Sequence, residues 1–124
     1  MDTVTVIQVL LMIFAGAAGL LRLATPYARF IKLPFQSWAN EFKPRHVKLI
    51  GVLEVGAAVG IIVPLLSNSL PMLAPLAAVG LALVMAGAMA THLRRSEYLN
   101  MAGNLVWLGL ALFVAYGRLV EFAV

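Results

Sequence analysis

Four long apolar runs divide the chain, at residues 3–24, 46–66, 72–93 and 101–120. Val4 to Leu21 carries no charge in 18 residues, with Thr5 at its start and Gln8 as the one polar side chain further in, and is close to the minimum needed to cross about 30 Å of hydrocarbon. Apolar positions in these runs are continuous and do not alternate, so they predict spanning helices and not barrel strands. Residues 67–71, Ser-Asn-Ser-Leu-Pro, are too short for anything but a turn between antiparallel neighbours, with Asn68 or Ser69 available to cap the next helix. Residues 96–100 form the last loop. Between the first two runs the pattern changes. Pro26, Pro34 and Pro44 forbid one long helix, and Tyr27, Phe30, Phe35, Trp38 and Phe42 alternate with Arg29, Lys32, Lys43 and Arg45. That mixture suits the membrane–water interface and predicts one or two short helices at the bilayer surface, able to dip back into the bundle. The fold expected is an all-α membrane protein: one domain over residues 1–124, a four-transmembrane-helix bundle with a short interfacial amphipathic segment between helices 1 and 2.

Composition agrees with that pattern. The chain is 63% hydrophobic and 11% charged, with a mean hydropathy of +0.99, whereas soluble domains average about 25% charged residues. Cysteine is absent, which excludes disulfides, thiolate nucleophiles and iron–sulfur ligation within the chain. Two histidines and few carboxylates leave no metal site that the chain could build alone. Asp2 is the only early charge, so the first run reads as a retained helix and not as a cleaved signal peptide.

The net charge of +4 changes the picture through its distribution. Arg22, Arg29, Lys32, Lys43, Arg45, Lys48, Arg94 and Arg95 fall on one side of the predicted membrane, and Arg118 alone on the other. By the positive-inside rule both termini face away from the cytoplasm, in what is expected to be a bacterial inner membrane. Bases that flank apolar spans orient a membrane protein; they do not predict a nucleic-acid partner.

Glu54 is the residue that most needs an explanation. An acid at mid-helix costs about 2.5–3.5 kcal/mol on insertion scales, so it requires a partner or a task. Residues three and four positions away are Ile50, Gly51, Ala57 and Ala58, which leaves room beside it for a helix, a water or a ligand head. Gly56-x-x-x-Gly60 fits a close-packing motif on the same helix, and Ala15, Gly16, Ala18 and Gly19 make a small-residue surface on the first. Arg22 follows that surface and either reaches for headgroups or points inward to an acid or anion. His92, at the end of the third span, is either a boundary histidine or a proton-handling group. Asn104 shares a face with Asn100, Trp107 and Ala111 and is expected to hydrogen-bond within the bundle. Counting 1.5 Å per residue, Arg22 and His92 lie about 3 Å from the boundary, Asn104 about 6 Å and Glu54 about 12 Å. The four predict a polar vestibule under the aromatic segment, in which Arg22 meets Glu54 only if both side chains stretch.

Phe14-Ala-Gly-x-x-Gly-Leu-Leu-Arg-Leu23, Ile50-Gly-Val-Leu-Glu-Val-Gly56, Leu73-Ala-Pro-Leu-Ala-Ala-Val-Gly-Leu-Ala82 and Ala90-Thr-His-Leu-Arg-Arg95 together resemble the DoxX-like family of small four-helix membrane proteins. The Gly-x-x-Glu element and the Thr-His-x-Arg-Arg end of the third span are the most specific parts. The family commonly has Lys at the position of Arg22, which keeps the charge and changes its geometry. The founding member is associated with thiosulfate:quinone oxidoreduction, so the resemblance implies a subunit of a membrane redox complex. Such a subunit binds quinone, or another small lipophilic ligand, around Glu54; the chain has no cofactor of its own and its partner supplies electrons. No catalytic motif carries over. Two other readings stay open: a non-enzymatic assembly module that packs as a homo-oligomer or on a partner, and an oligomeric small-solute transporter.

Overall fold

The computed structural model describes residues 2–123, with side chains through Glu121. Helix α1 spans Thr3–Ala24 and α2 Tyr27–Phe30; a 3₁₀ turn covers Ser37–Glu41; α3 spans Pro44–Ser67, α4 Leu73–Arg94 and α5 Tyr98–Ala123. The protein is all-helical over the described residues, and α1, α3, α4 and α5 are long and apolar enough to cross a membrane. Large apolar side chains such as Leu20, Leu49, Leu76 and Val106 face outward along them, as a lipid solvent requires.

Local chemistry sets the helix ends. The Asp2 carboxylate accepts the Thr5 N–H at 2.7 Å and caps α1. Hydrogen bonds from Thr5 hold that carboxyl below its ordinary range. Pro44 occupies the first turn of α3, where its missing N–H costs nothing, so α3 starts two residues before the expected position. Asn68 does not cap α4. It ends α3 in the left-handed conformation (φ 53°), its N–H bonded to the Pro64 carbonyl at 3.1 Å, because asparagine tolerates that region better than most residues. Met72 precedes α4 with no side-chain cap.

The loop expected at 96–100 is shorter than predicted. The Glu97 N–H reaches back to the His92 carbonyl at 2.8 Å and the Ser96 N–H to that of Leu93 at 3.1 Å, with Ser96 left-handed at φ 58°. This is a Schellman closure built on serine where glycine is usual. It lets α5 begin at Tyr98, three residues early.

The four long helices form a ring in chain order: α1 on α3, α3 on α4, α4 on α5, with α1 and α5 closing it through a sparser seam. Glycines decide how closely they approach. A Cβ on Gly19 would lie 2.7 Å from the Gly51 carbonyl oxygen, and one on Gly51 would lie 3.0 Å from that of Gly19, so α1 and α3 cross backbone to backbone. Gly60 packs against the Ala77 side chain of α4, where an added Cβ would lie 2.9 Å from the Ala77 Cβ, but Gly56 faces open space. The expected Gly56-x-x-x-Gly60 surface therefore contributes one glycine to packing: the two lie one turn apart on the same face, and a Cβ on Gly56 meets no neighbouring atom within 4 Å.

Leu11, Ile61, Leu81 and Val114 fill the middle of the bundle. At the end that carries the termini, buried Gln8 donates from Nε2 to the Ile61 carbonyl at 2.8 Å and accepts from Arg118 Nε at 2.7 Å. Arg118 also donates to Thr5 Oγ1 at 2.8 Å and to Glu121 at 2.7 Å. At the opposite end, residues 25–43 fold over the bundle as a lid. Phe30, Trp38 and Ala39 are buried against Val47, and the Tyr27 hydroxyl is shared between the carbonyls of Ala39 (3.0 Å) and Phe42 (2.8 Å).

Candidate functional site

Beneath the lid, α1 and α3 diverge from α4 and α5 and leave a cavity of about 740 Å³. Its walls are mainly apolar. Arg22, Glu54, His92 and Asn104 all line it, so the four polar residues singled out from the sequence share one space.

Arg22 and Glu54 form a buried ion pair through Nη1 and Oε1, their side chains 15% and 6% exposed. Helix geometry explains how they meet. Gly19 and Gly51 mark the crossing of α1 and α3, and each charged residue lies three positions after its glycine, on antiparallel helices. They are therefore offset in opposite directions along the axis. Every helical side chain leans toward its own N-terminus, which here tips Arg22 and Glu54 toward each other. The guanidinium carbon also lies 5.4 Å from the centre of the Trp38 ring and 5.8 Å from that of Phe30, within cation–π range. Its Nε is buried with no hydrogen-bond partner. One turn from Gly51, Lys48 donates to the carbonyls of Arg22 (2.6 Å), Leu23 (3.2 Å) and Thr25 (2.7 Å) and neutralises the C-terminal end of α1.

His92 is 4% exposed. Its Nδ1 lies 2.9 Å from Glu97 Oε1, and the edge of its ring faces Trp38 at 6.1 Å. The Schellman closure creates this pair by turning Glu97 back onto the end of α4. Partial burial raises the Glu97 carboxyl, but hydrogen bonds from His92 and Arg95 outweigh it and hold the group below its ordinary value. A proton kept on Nδ1 by a carboxylate leaves Nε2 free to accept one. Among the described residues Nε2 has no protein partner. Asn104 faces the cavity, and its amide donates to the Asn100 carbonyl at 2.9 Å, a partner on its own helix.

The lid is held on the far hairpin by polar contacts. Asn100 Nδ2 donates to the Phe35 carbonyl at 2.8 Å, Arg94 to Glu41 at 3.0 Å, and Ser37 Oγ to Glu97 Oε2 at 3.4 Å. Sequence reasoning missed Glu97 as a member of the site. Glu97 follows Thr-His-x-Arg-Arg closely enough to have been suspected as a partner of His92. Trp38 was expected only as one of five aromatics in the roof; the folding of the lid turns its ring onto Arg22 and His92.

Neither curated proteins nor solved structures include a significant match to the chain. The model of the DoxX-like family matches residues 3–114, a stretch that contains every residue named in the cavity, and the protein belongs to the DoxX-like family.

Proposed function

We propose that the protein is a ligand-binding membrane subunit of a redox complex and holds a quinone-like head in the cavity beneath the lid. The observation that carries this reading is the cavity itself. Its walls are apolar, its volume suits a small lipophilic molecule, and its polar groups gather at the lid end. Arg22, its charge balanced by Glu54, offers guanidinium N–H donors to an oxygen-rich head. His92, its tautomer set by Glu97, holds or accepts a proton at Nε2. Electrons come from a partner subunit. On this reading the lid end faces the cytoplasm, as the clustered bases imply, in a bacterial inner membrane.

Trp38 and Trp107, the two tryptophans of the chain, both line the cavity, so intrinsic fluorescence reports on occupancy directly. Titration of the purified protein with a tailless benzoquinone is expected to give saturable quenching, weakened in His92→Ala. Quenching that stays linear with concentration and equal in both proteins means that no such site exists. The second reading is a membrane assembly module, and it is favoured by Gly56, Gly80 and Gly109, which face open space where another helix could approach.

A further inference from the structure

The cavity is not closed equally on all sides. Between α1 and α3 the backbones touch at Gly19 and Gly51. Along the α1–α5 seam, pairs of residues face each other in antiparallel register. Val4 meets the position of Gly117, where a Cβ would lie 3.1 Å from a Val4 methyl. Further along, Phe14 stacks on Trp107, ring centres 4.1 Å apart and planes 10° from parallel. One turn nearer the lid, the same register sets Ala18 opposite Gly103, and a Cβ on Gly103 would meet no atom within 4 Å. The seam is shut by side chains up to the stacked rings and by almost nothing beyond them.

A second hollow, of about 370 Å³, lies outside that seam. Leu10, Ile13, Ala17 and Leu21 line it on the lipid-facing side of α1. It shares Phe14, Ala18 and Trp107 with the inner cavity, so the two spaces meet at the stacked rings and the small pair above them. The inner space has polar groups at one end. The outer one is wholly apolar and open to the bilayer.

We propose that the ligand has a compact polar head and a long isoprenoid-like tail, and that the tail leaves the cavity between α1 and α5 over the Phe14–Trp107 pair to lie in the outer groove. This rests on the quinone-type reading of the cavity and adds to it the ligand's shape and its route. A tail that exits sideways lets the head reach the polar end without leaving the bilayer, and the lid can stay latched during exchange.

The test compares a tailless benzoquinone with its decyl-chain analogue, read by tryptophan quenching, in four proteins: wild type, Ala18→Leu, Gly103→Leu and Gly109→Leu. At both Gly103 and Gly109 an added Cβ meets no atom within 4 Å; Gly109 lies outside both hollows and controls for bulk on α5. The wild type is expected to bind the decyl compound more tightly than the tailless one. Leucine at 18 or 103 is expected to cut the affinity advantage of the decyl over the tailless compound by at least about tenfold, about two methylenes' worth of burial, beyond any change both ligands share because these positions also border the cavity. Gly109→Leu is expected to match wild type for both. A decyl-to-tailless affinity ratio that is the same in all four proteins overturns the route alone. Failure of the wild type to bind either compound overturns the quinone reading and the route with it.

Discussion

Arg22 and Glu54 have each exchanged water for one partner, and in a lipid-surrounded bundle that makes them interdependent. A buried pair contributes little net stability against a well-packed apolar substitute, but removing one member strands the other charge at a cost of about 3–5 kcal/mol. Arg22→Met and Glu54→Leu are therefore each expected to lower thermal stability in detergent by that order, and the double variant to recover most of the loss. A Glu54→Leu protein as stable as wild type would mean that Arg22 does not depend on the acid. Lysine at 22 keeps the charge but lacks the planar face that lies near Trp38 and Phe30, so it serves the pair less well.

At the scale of elements, the crossing of α1 and α3 positions that pair, and it depends on two glycines. Gly19→Ala forces a Cβ to within 3 Å of the Gly51 carbonyl and of Val55, and is expected to destabilise by about 1–3 kcal/mol. Gly56→Ala, in open space on the same helix pair, is expected to be neutral or slightly stabilising through helix propensity. Thermal melts of the two variants check this; equal losses would place the crossing elsewhere. How far the sequence could be read follows from the same residues. The four spans were legible because unbroken apolar runs have few alternatives in a membrane. Glu54 was legible because an acid in such a run needs a reason. Gly19 and Gly51 were visible as small residues, but which glycines touch depends on the rotation of each helix about its axis, and Gly56 looked equally suitable. Asn68 was assigned to the wrong helix end, since asparagine favours both N-caps and left-handed C-terminal positions. The role of Glu97 depended on a Schellman closure that serine at position 96 did not advertise.

For the whole molecule, the lid joins two hairpins that the cavity holds apart. It grows from the α1–α3 pair and latches onto the α4–α5 turn through Asn100, Arg94 and Glu97. The exposed Arg94–Glu41 contact adds little to that latch. Glu97 matters more, because it meets His92, Arg95 and Ser37 at once. Its carboxyl is held below the ordinary value of 4.5, so the folded state binds the proton less readily than the unfolded chain does. The stabilisation from Glu97 is then complete above pH 4.5 and is lost as the pH falls through the lower folded value. Trp38 lies on the underside of the lid against His92, and its emission is expected to shift toward that of exposed indole over this acid range. Measuring this in Trp107→Phe isolates the Trp38 signal. Glu97→Gln cannot lose a carboxylate it lacks, so it is expected to start with a looser lid at neutral pH and to show a smaller acid transition. An identical transition in both proteins would assign the acid response to another carboxylate and leave the lid held by Asn100 and the aromatic packing alone.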